Sequence, residues 1–293
     1  MRESLGERIF NIVNVLGMCI LVVVTLYPLL YVLFVSFSVP SEYMRYTGNL
    51  IFRPIGFSLT SYKVVFRNSS IWTGYKNTLF VVVVGTTLNM LMTIVGAYVL
   101  SRRQIGMRRF LTLMTLFTRY FSGGMIPTYL VVRNIGLYGS LWALIIPAAV
   151  NTFNLIIMRT AFETVPDSLE ESAKIDGASQ LVILIRIMVP LVVPTIAVLL
   201  LYYGVSHWNS WFSAMLYIRK RELYPLQLLL REMIIQNTVS MERSLSTSGD
   251  DDAFISETIK YSTIVVVTLP ILLLYPFLQK YFVKGVMVGA VKG

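Results

Sequence analysis

The chain has 293 residues, of which 56% are hydrophobic and 14% charged, and its mean hydropathy is +0.69. This composition excludes an ordinary soluble domain and predicts several membrane spans, each of which needs about 20 mostly apolar residues. The net charge of +10 does not indicate a nucleic-acid partner, because the basic residues border apolar runs and form no continuous stripe.

The apolar runs predict six transmembrane helices in one all-α membrane domain that covers residues 1–293. In chain order the runs are 12–37, 72–100, 110–132, 141–160, 187–208 and 259–281. The first run is too long for the core of a signal peptide, so we expect it to remain as a span. The connecting segments 38–71 and 209–258 are then external, and 161–187 is a loop on the opposite side.

A tight basic cluster orients these spans. Arg102, Arg103, Arg108 and Arg109 occupy the very short connection between the second and third spans. Lys and Arg in short loops favour the cytoplasmic side of a membrane. The cluster therefore predicts that both termini and the 161–187 loop are cytoplasmic.

The 161–187 loop is a long polar segment between apolar runs, and its residues predict a helix–turn–helix. Pro166 suits the first turn of a helix, and Glu170 follows near the positive end of that helix. Gly177 is the predicted stop, because glycine adopts the left-handed conformation that ends many helices. Ser179 is placed to cap the next helix.

The order of residues in this loop resembles a known motif. Glu171-Ser172-Ala173 is followed by Gly177 and, after nine further residues, by Ile187 and then Pro190. This pattern resembles the cytoplasmic EAA loop of the membrane subunits of binding-protein-dependent ABC importers, where the loop forms a short helix that docks on an ATPase. Ser172 stands where that family usually has alanine, a change of one small residue for another. The alternative interpretation is an ordinary amphipathic helix at the membrane interface.

The resemblance implies that part of the loop couples the chain to an ATPase. Glu171 would contact a cleft of the ATPase, and Gly177 would form the turn. Ile187 and Pro190 would position the second helix against the fifth span. The complete set is Glu170, Glu171, Ser172, Ala173, Asp176, Gly177, Ala178, Ile187 and Pro190.

Further segments resemble the permeases of sugar importers. They are 77–78, 97–102, 122–129, 134–137, 208–212 and 289–293, and among them 208–212 and 289–293 resemble the second permease of the maltose type. The segments 122–129 and 134–137 resemble a branch that serves oligosaccharides, including uronate-containing ones such as alginate and pectin fragments. The resemblance implies a type I ABC importer permease fold and an oligosaccharide cargo, with an acidic oligosaccharide as the expected case.

The same resemblance implies a set of partners. We expect a second homologous permease, two ATPase subunits that carry ATP and Mg, and an extracytoplasmic solute-binding protein, all at the bacterial inner membrane. The tail after Lys284 resembles tails that reach down between the ATPases. This chain itself has no phosphate-binding loop, so we expect no cofactor on it.

Polar residues within the apolar runs are the candidates for a substrate pathway. Arg119 is the unexpected one, since an ionisable group inside a membrane is costly and indicates function, unless it reaches the interface or pairs with an acid. The full set is Arg119, Tyr120, Asn151, Asn154, Tyr202, Tyr203 and His207. Asparagines in spans also bridge helices, and Trp208 and Trp211 fit an interfacial aromatic belt.

Two other classes of protein compete with this interpretation. A six-span channel or an ion-coupled carrier explains the hydropathy equally well, but such a carrier usually needs acids inside the membrane, and these spans lack them. An enzyme is a poorer match, because Cys19 and His207 are the only cysteine and histidine. One cysteine and one histidine are too few for a typical zinc site or for a catalytic nucleophile–base pair.

Overall fold

A computed structural model of the chain describes residues 5–48, 50–102, 104–246, 257–273 and 276, and within them the regular structure is helical. This agrees with the predicted all-α class. The chain divides into two compact units, one formed by Met1–Ile71 with Leu230–Leu269 and the other by Trp72–Leu229 with Pro270–Gly293. We refer to them as unit 1 and unit 2.

The α-helices vary from single turns to more than thirty residues. In chain order they are α1 (Leu5–Ser36), α2 (Pro40–Arg45), α3 (Thr60–Arg67), α4 (Ser69–Ser101), α5 (Arg108–Tyr120), α6 (Met125–Asn134), α7 (Trp142–Ile145), α8 (Thr152–Glu163), α9 (Asp167–Ile175), α10 (Gln180–Ile183), α11 (Val189–Leu191), α12 (Val193–Trp208), α13 (Trp211–Tyr217), α14 (Leu226–Ser246) and α15 (257–273). Turns of 3₁₀-helix occupy Ile146–Ala148 and Arg221–Leu223, and a π-helical turn occupies Leu184–Met188.

Within the described ranges, two helices, α1 and α4, are by themselves long and apolar enough to cross a membrane. Two bent pairs pass the same test together and would raise the number of spans to four. One pair, Trp142–Ala148 with Thr152–Glu163, bends by 49°, and the other, Gln180–Leu191 with Val193–Trp208, bends by 85°. Of the predicted sixth span, residues 274–275 and 277–281 lie outside the described residues, as does the tail after Lys284, and the span limits remain predictions.

The predicted third span, 110–132, is not one continuous helix. It consists of α5 and α6, which are separated by Phe121–Gly124, and Gly124 has φ 89°. A residue with a side chain rarely adopts this conformation, whereas glycine does so readily. The prediction treats the whole segment as one apolar run, and it misses the break that Gly123-Gly124 encodes locally.

Prolines explain the sharp bend before α12. Pro194 lies in the first turn of α12, and because it has no N–H it cannot bond to the carbonyl of Pro190. Val192 sits between the two prolines with φ −108° and ψ 17°, which is not helical. The π-helical turn just before Pro190 adds a second irregularity of the kind that accompanies kinks.

Unit 1 is held together by hydroxyl groups of small residues. The Ser61 hydroxyl donates to Thr258 Oγ1 at 2.8 Å, and the Ser262 hydroxyl donates to the carbonyl of Ser36 at 3.1 Å. These residues are buried, and their small size lets the backbones of α1, α3 and α15 approach closely. Unit 1 is therefore tied by polar contacts that satisfy each other in an apolar environment.

In unit 2, two buried polar pairs join α4 to α12. The hydroxyls of Thr93 and Tyr203 lie 2.7 Å apart, and His207 Nε2 lies 2.6 Å from Asn89 Oδ1. The side-chain amide nitrogen of Asn89 donates to the carbonyl of Ala148, so the amide oxygen is left to accept a hydrogen bond from His207. This arrangement assigns the His207 proton to Nε2 and satisfies each group away from water.

Gly85 of α4 provides the space for the His207 ring, which predicts a strong effect of a single methyl group. An ideal Cβ on Gly85 would lie 2.6 Å from Nε2 of His207, and that ring is held in place by Asn89. We expect Gly85→Ala to destabilise the protein by about 1–3 kcal/mol, as overpacking does, and thermal unfolding in detergent would measure this. Gly17→Ala on α1 is the control, because nothing lies within 4 Å of its Cβ position. Equal melting temperatures of the two variants would contradict the packing argument.

Candidate functional site

The first helix of the predicted coupling loop begins one residue later than expected. Pro166 is the N-cap of α9, with φ −58° and ψ 131°, and the helix starts at Asp167. Asp167 and Glu170 lie in the first turn, where negative charge stabilises the positive end of the helix dipole. The difference is small, because proline is tolerated at either position for the same reason, its missing N–H.

The end of α9 is a Schellman motif built on Gly177. Gly177 has φ 79°, its N–H donates to the carbonyl of Lys174 at 3.0 Å, and the N–H of Ala178 donates to the carbonyl of Ala173 at 2.9 Å. These two bonds satisfy carbonyls that would otherwise be unpaired at the end of a helix. Gly177 therefore stops α9 where the sequence predicts the turn.

The second arm of the loop starts at a side-chain cap. The Ser179 hydroxyl accepts from the backbone N–H of Val182 at 3.4 Å, and α10 begins at Gln180. The helix continues through the π-helical turn, which contains Ile187, to Pro190 in α11. The loop is thus a helix–turn–helix whose second arm runs into the bend before α12.

The surface of α9 is divided into an exposed face and a buried face. Glu171, Ser172 and Asp176 are exposed. Two apolar side chains are also exposed, Leu169 at 43% and Ile175 at 87%. An apolar residue that is almost fully exposed on a short polar helix is a candidate contact for another protein.

The buried face of α9 carries an ion pair that reaches another helix. Glu170 is 7% exposed, and its carboxylate accepts from the guanidinium of Arg102, the residue directly after α4. Its other oxygen lies 2.9 Å from Lys174 Nζ, one turn along α9. The guanidinium carbon of Arg102 also lies 4.8 Å from the centre of the Tyr98 ring, and the Tyr98 hydroxyl donates to Gln180 Oε1 at 2.6 Å.

A second ionic cluster lies at the same end of α4. Glu163 at the end of α8 accepts from Arg108 and, at 3.0 Å, from Arg159. Arg108 Nε also donates to the carbonyl of Leu100 at 2.9 Å, which satisfies a backbone group in the last turn of α4. The sequence identified Arg102 and Arg108 as markers of orientation, but their pairing with specific acids in the loop region was not predicted.

Four of the predicted pathway residues take part in contacts that organise helices. Tyr203 and His207 bond to α4, as described above, and are about 5% exposed. Asn151 is the N-cap of α8 and accepts from the backbone N–H of Asn154 at 3.1 Å. Asn154 itself is buried at 5% exposure. Tyr203 and His207 therefore join two helices, whereas Asn151 is exposed and caps its own helix.

The other candidates are exposed. Arg119 and Tyr120 form the end of α5, and Tyr120 is 87% exposed. Within the described part of the chain no acid pairs with Arg119. The end of α5 lies beside the start of α8, since the hydroxyls of Thr118 and Thr152 are 3.4 Å apart. Arg119 and Asn151 therefore belong to neighbouring helix ends, whereas Tyr202, 41% exposed, lies on α12.

Trp208 does not lie in an exposed aromatic belt as the sequence suggested. It is 5% exposed and lines a cavity of about 310 Å³ between α4 and α12, together with Thr86 and Gly204. Among the described residues, Trp208 Nε1 and Thr86 Oγ1 are buried without a hydrogen-bond partner. The tryptophan therefore faces the interior of unit 2, which a hydropathy pattern does not reveal.

Comparison with known proteins gives matches over nearly the full chain. The chain is 41% identical over 287 residues to the polygalacturonan/rhamnogalacturonan transport system permease protein YtcP of Bacillus subtilis (strain 168), covering 98% of this chain and 99% of that protein. It is 41% identical over 296 residues to Protein LplC of the same organism, covering 100% and 98%.

Among solved structures, the chain is similar to a chain in the crystal structure of a bacterial ABC transporter involved in the import of the acidic polysaccharide alginate. The TM-score is 0.87 and the sequence identity 32%, covering 96% of this chain and 99% of the other. No family model matches the chain.

The Schellman turn predicts a graded response at Gly177. Nothing lies within 4 Å of its Cβ position, so any effect of a side chain comes from the backbone conformation. We expect Gly177→Ala to destabilise the end of α9 by about 1–2 kcal/mol, and Gly177→Asn by less, because asparagine tolerates positive φ better. Hydrogen exchange of the amides of residues 173–178 would measure this. Gly106→Ala is the control, since Gly106 also faces open space but lacks positive φ. Equal exchange in all three variants would argue against a strained turn.

Proposed function

This chain belongs to the family of ABC sugar-importer permeases, and we propose that it forms one half of the membrane pathway of a bacterial oligosaccharide importer. The match to a relative that is 41% identical over 98% of the chain carries this conclusion. The same relationship confirms the predicted permease fold and makes the chain a transport subunit, not an enzyme. It also decides against the ion-coupled carrier.

The chain works with partners that supply energy and cargo. A second permease completes the pathway, two ATPase subunits bind ATP and Mg, and an extracytoplasmic solute-binding protein delivers the oligosaccharide. The inner membrane is the site of action, with both termini and the coupling loop in the cytoplasm. The basic cluster around Arg102 and Arg108 supports this orientation, because short basic connections are cytoplasmic.

The exposed face of α9 docks on the ATPase. Glu171 offers a charge, and Leu169 and Ile175 offer apolar surface that the described residues leave exposed. The Schellman turn at Gly177 fixes the direction of the second arm, which leads into α12. Closure of the ATPase dimer moves the docked helices and alternates the access of the pathway between the two sides of the membrane.

The cargo is an acidic oligosaccharide. The names of one relative and of the similar solved transporter refer to polygalacturonan, rhamnogalacturonan and alginate, and carboxylated sugars occur in each. Arg119 supports the same cargo, since it is a cation at a helix break without an acidic partner among the described residues. A guanidinium binds a carboxylate through two parallel hydrogen bonds, and such pairs are strong where water is excluded.

Reversal of charge on the docking face tests the link to the ATPase. If the ATPase cleft carries positive charge that complements Glu171, a lysine at this position would be repelled by it. We therefore expect Glu171→Lys to weaken association with the ATPase subunits about tenfold or more. Co-purification of the complex from membranes measures the association. Glu42→Lys on α2, in the predicted external segment, is the matched control and should leave it unchanged. Normal association of Glu171→Lys would refute the docking assignment.

Removal of the Arg119 charge tests the choice of cargo. We expect Arg119→Met to lower uptake of galacturonate or alginate oligosaccharides about tenfold, the cost of one charge-assisted contact. Uptake by the reconstituted complex would be compared with neutral oligosaccharides of equal length. Arg133→Met, the same change in the last turn of α6, is the control. Full uptake of the acidic oligosaccharides by Arg119→Met would rule out recognition of the cargo by Arg119. Transport of neutral sugars only by the wild type would rule out an acidic cargo.

A further inference from the structure

We propose that Arg102, Glu170, Tyr98 and Gln180 form a latch that transmits movement of the coupling loop into α4. This inference rests on the proposed function, since it assumes that an ATPase moves α9. The latch joins residues 68 positions apart in the chain, the end of α4 and the first turn of α9. Its members act as positioning residues for the loop.

The ion pair of the latch is shielded from water on both sides. The side chains of Arg102 and Glu170 are 14% and 9% exposed, respectively. Exposed ion pairs contribute little, but a buried pair resists separation, because each charge would be left without compensation. Arg102 is also fixed by the Tyr98 ring at 4.8 Å and by a hydrogen bond of 3.1 Å to Ser101 Oγ. The guanidinium is therefore an ordered anchor.

The latch holds both arms of the loop to the same turn of α4. Glu170 lies before the Gly177 turn, and Gln180, which accepts from the Tyr98 hydroxyl at 2.6 Å, lies after it. A single contact would let the loop pivot, whereas contacts on both arms resist rotation of the loop relative to α4. Tilting of α9 must then move α4 or break buried bonds.

Adjacent acids divide the two tasks of α9. Successive residues on an α-helix point about 100° apart. Glu171 is consequently exposed for the ATPase, while Glu170 points inward to Arg102. The two acids are adjacent in the sequence motif but differ in burial. The exposed Glu171 is available to the ATPase, and the buried Glu170 connects α9 to α4.

From the latch, α4 has a defined connection to α12. Thr93 and Asn89 lie five and nine residues before Tyr98 on α4. They bond to Tyr203 and His207 at 2.7 and 2.6 Å. These bonds are buried, so displacement of α4 along its axis moves the pairs or costs their hydrogen bonds. The physical chain of contacts thus runs from α9 through α4 to the helix that follows the sharp bend.

The test uses the complete complex, reconstituted in proteoliposomes with the second permease, both ATPase subunits and the solute-binding protein. It measures ATP hydrolysed per oligosaccharide imported, together with co-purification of the ATPase. We expect Glu170→Gln and Arg102→Gln to raise this ratio about tenfold, within the range of ordinary coupling energies, while the ATPase remains bound. The double variant Arg102→Glu/Glu170→Arg should return the ratio to within about threefold of wild type, as expected for a directly interacting pair.

Arg159→Gln is the matched control, because it removes an arginine–glutamate pair at the same end of the protein without touching α9 or α4. Its ratio should equal that of wild type.

An unchanged ratio in Glu170→Gln, with an active wild type, overturns the latch. Loss of the bound ATPase also overturns it, because that result would place Glu170 in the docking surface. If Glu170→Gln does not fold, Tyr98→Phe decides, since it removes only the hydroxyl bond to Gln180, and an unchanged ratio again overturns the latch. A wild-type complex that imports no oligosaccharide would instead refute the proposed function.

Discussion

Glu170 is a buried carboxylate in a loop whose other acids are exposed, and the surrounding end of unit 2 is organised to compensate its charge. A buried carboxylate requires a cation and hydrogen bonds. Arg102 provides both from the end of α4, and Lys174 occupies the other oxygen. Because α4 and α9 are separated by several helices in the chain, this requirement fixes where α9 begins and which of its faces is left for a partner.

The second constraint is that backbone groups within an apolar environment must be satisfied internally. Two of the departures from regular helix, at Phe121–Gly124 and around Val192, come from residues that do not continue a helix in the ordinary way. Broken helices at membrane depth occur where they line a cavity or are covered by protein. The exposed Arg119 next to the first break is consistent with a surface that the second permease or the cargo covers.

The features predicted from sequence are those that a single residue determines. Gly177 ends α9 because of its positive φ, and Ser179 caps α10 because its hydroxyl is one residue before the helix. Both effects act within a few residues, so they can be predicted from the order of residues in the sequence. The break at Gly124 was equally local, but hydropathy averaged over a span concealed it.

The contacts that could not be predicted join distant parts of the chain. The pairing of Arg102 with Glu170, and of Asn89 with His207, depends on the packing of α4 against other helices, and neither residue type nor spacing specifies it. For the same reason Tyr203 and His207 were predicted to face a pathway, whereas their hydroxyl and ring nitrogen are occupied by α4. These contacts position α12 against α4, and the place of both residues in a substrate pathway stays a prediction.

The separation of Arg102 and Glu170 by 68 residues also has a consequence for biogenesis. A chain is synthesised from its N-terminus, and its domains fold as they emerge. The arginine is therefore in place before the carboxylate that pairs with it has been made, and the helices from α5 to α8 must be accommodated in between. Closing this long loop costs conformational entropy that only the completed contact offsets. The end of unit 2 that carries this ion pair thus acquires its final shape late, after the membrane segments that precede α9 have been inserted.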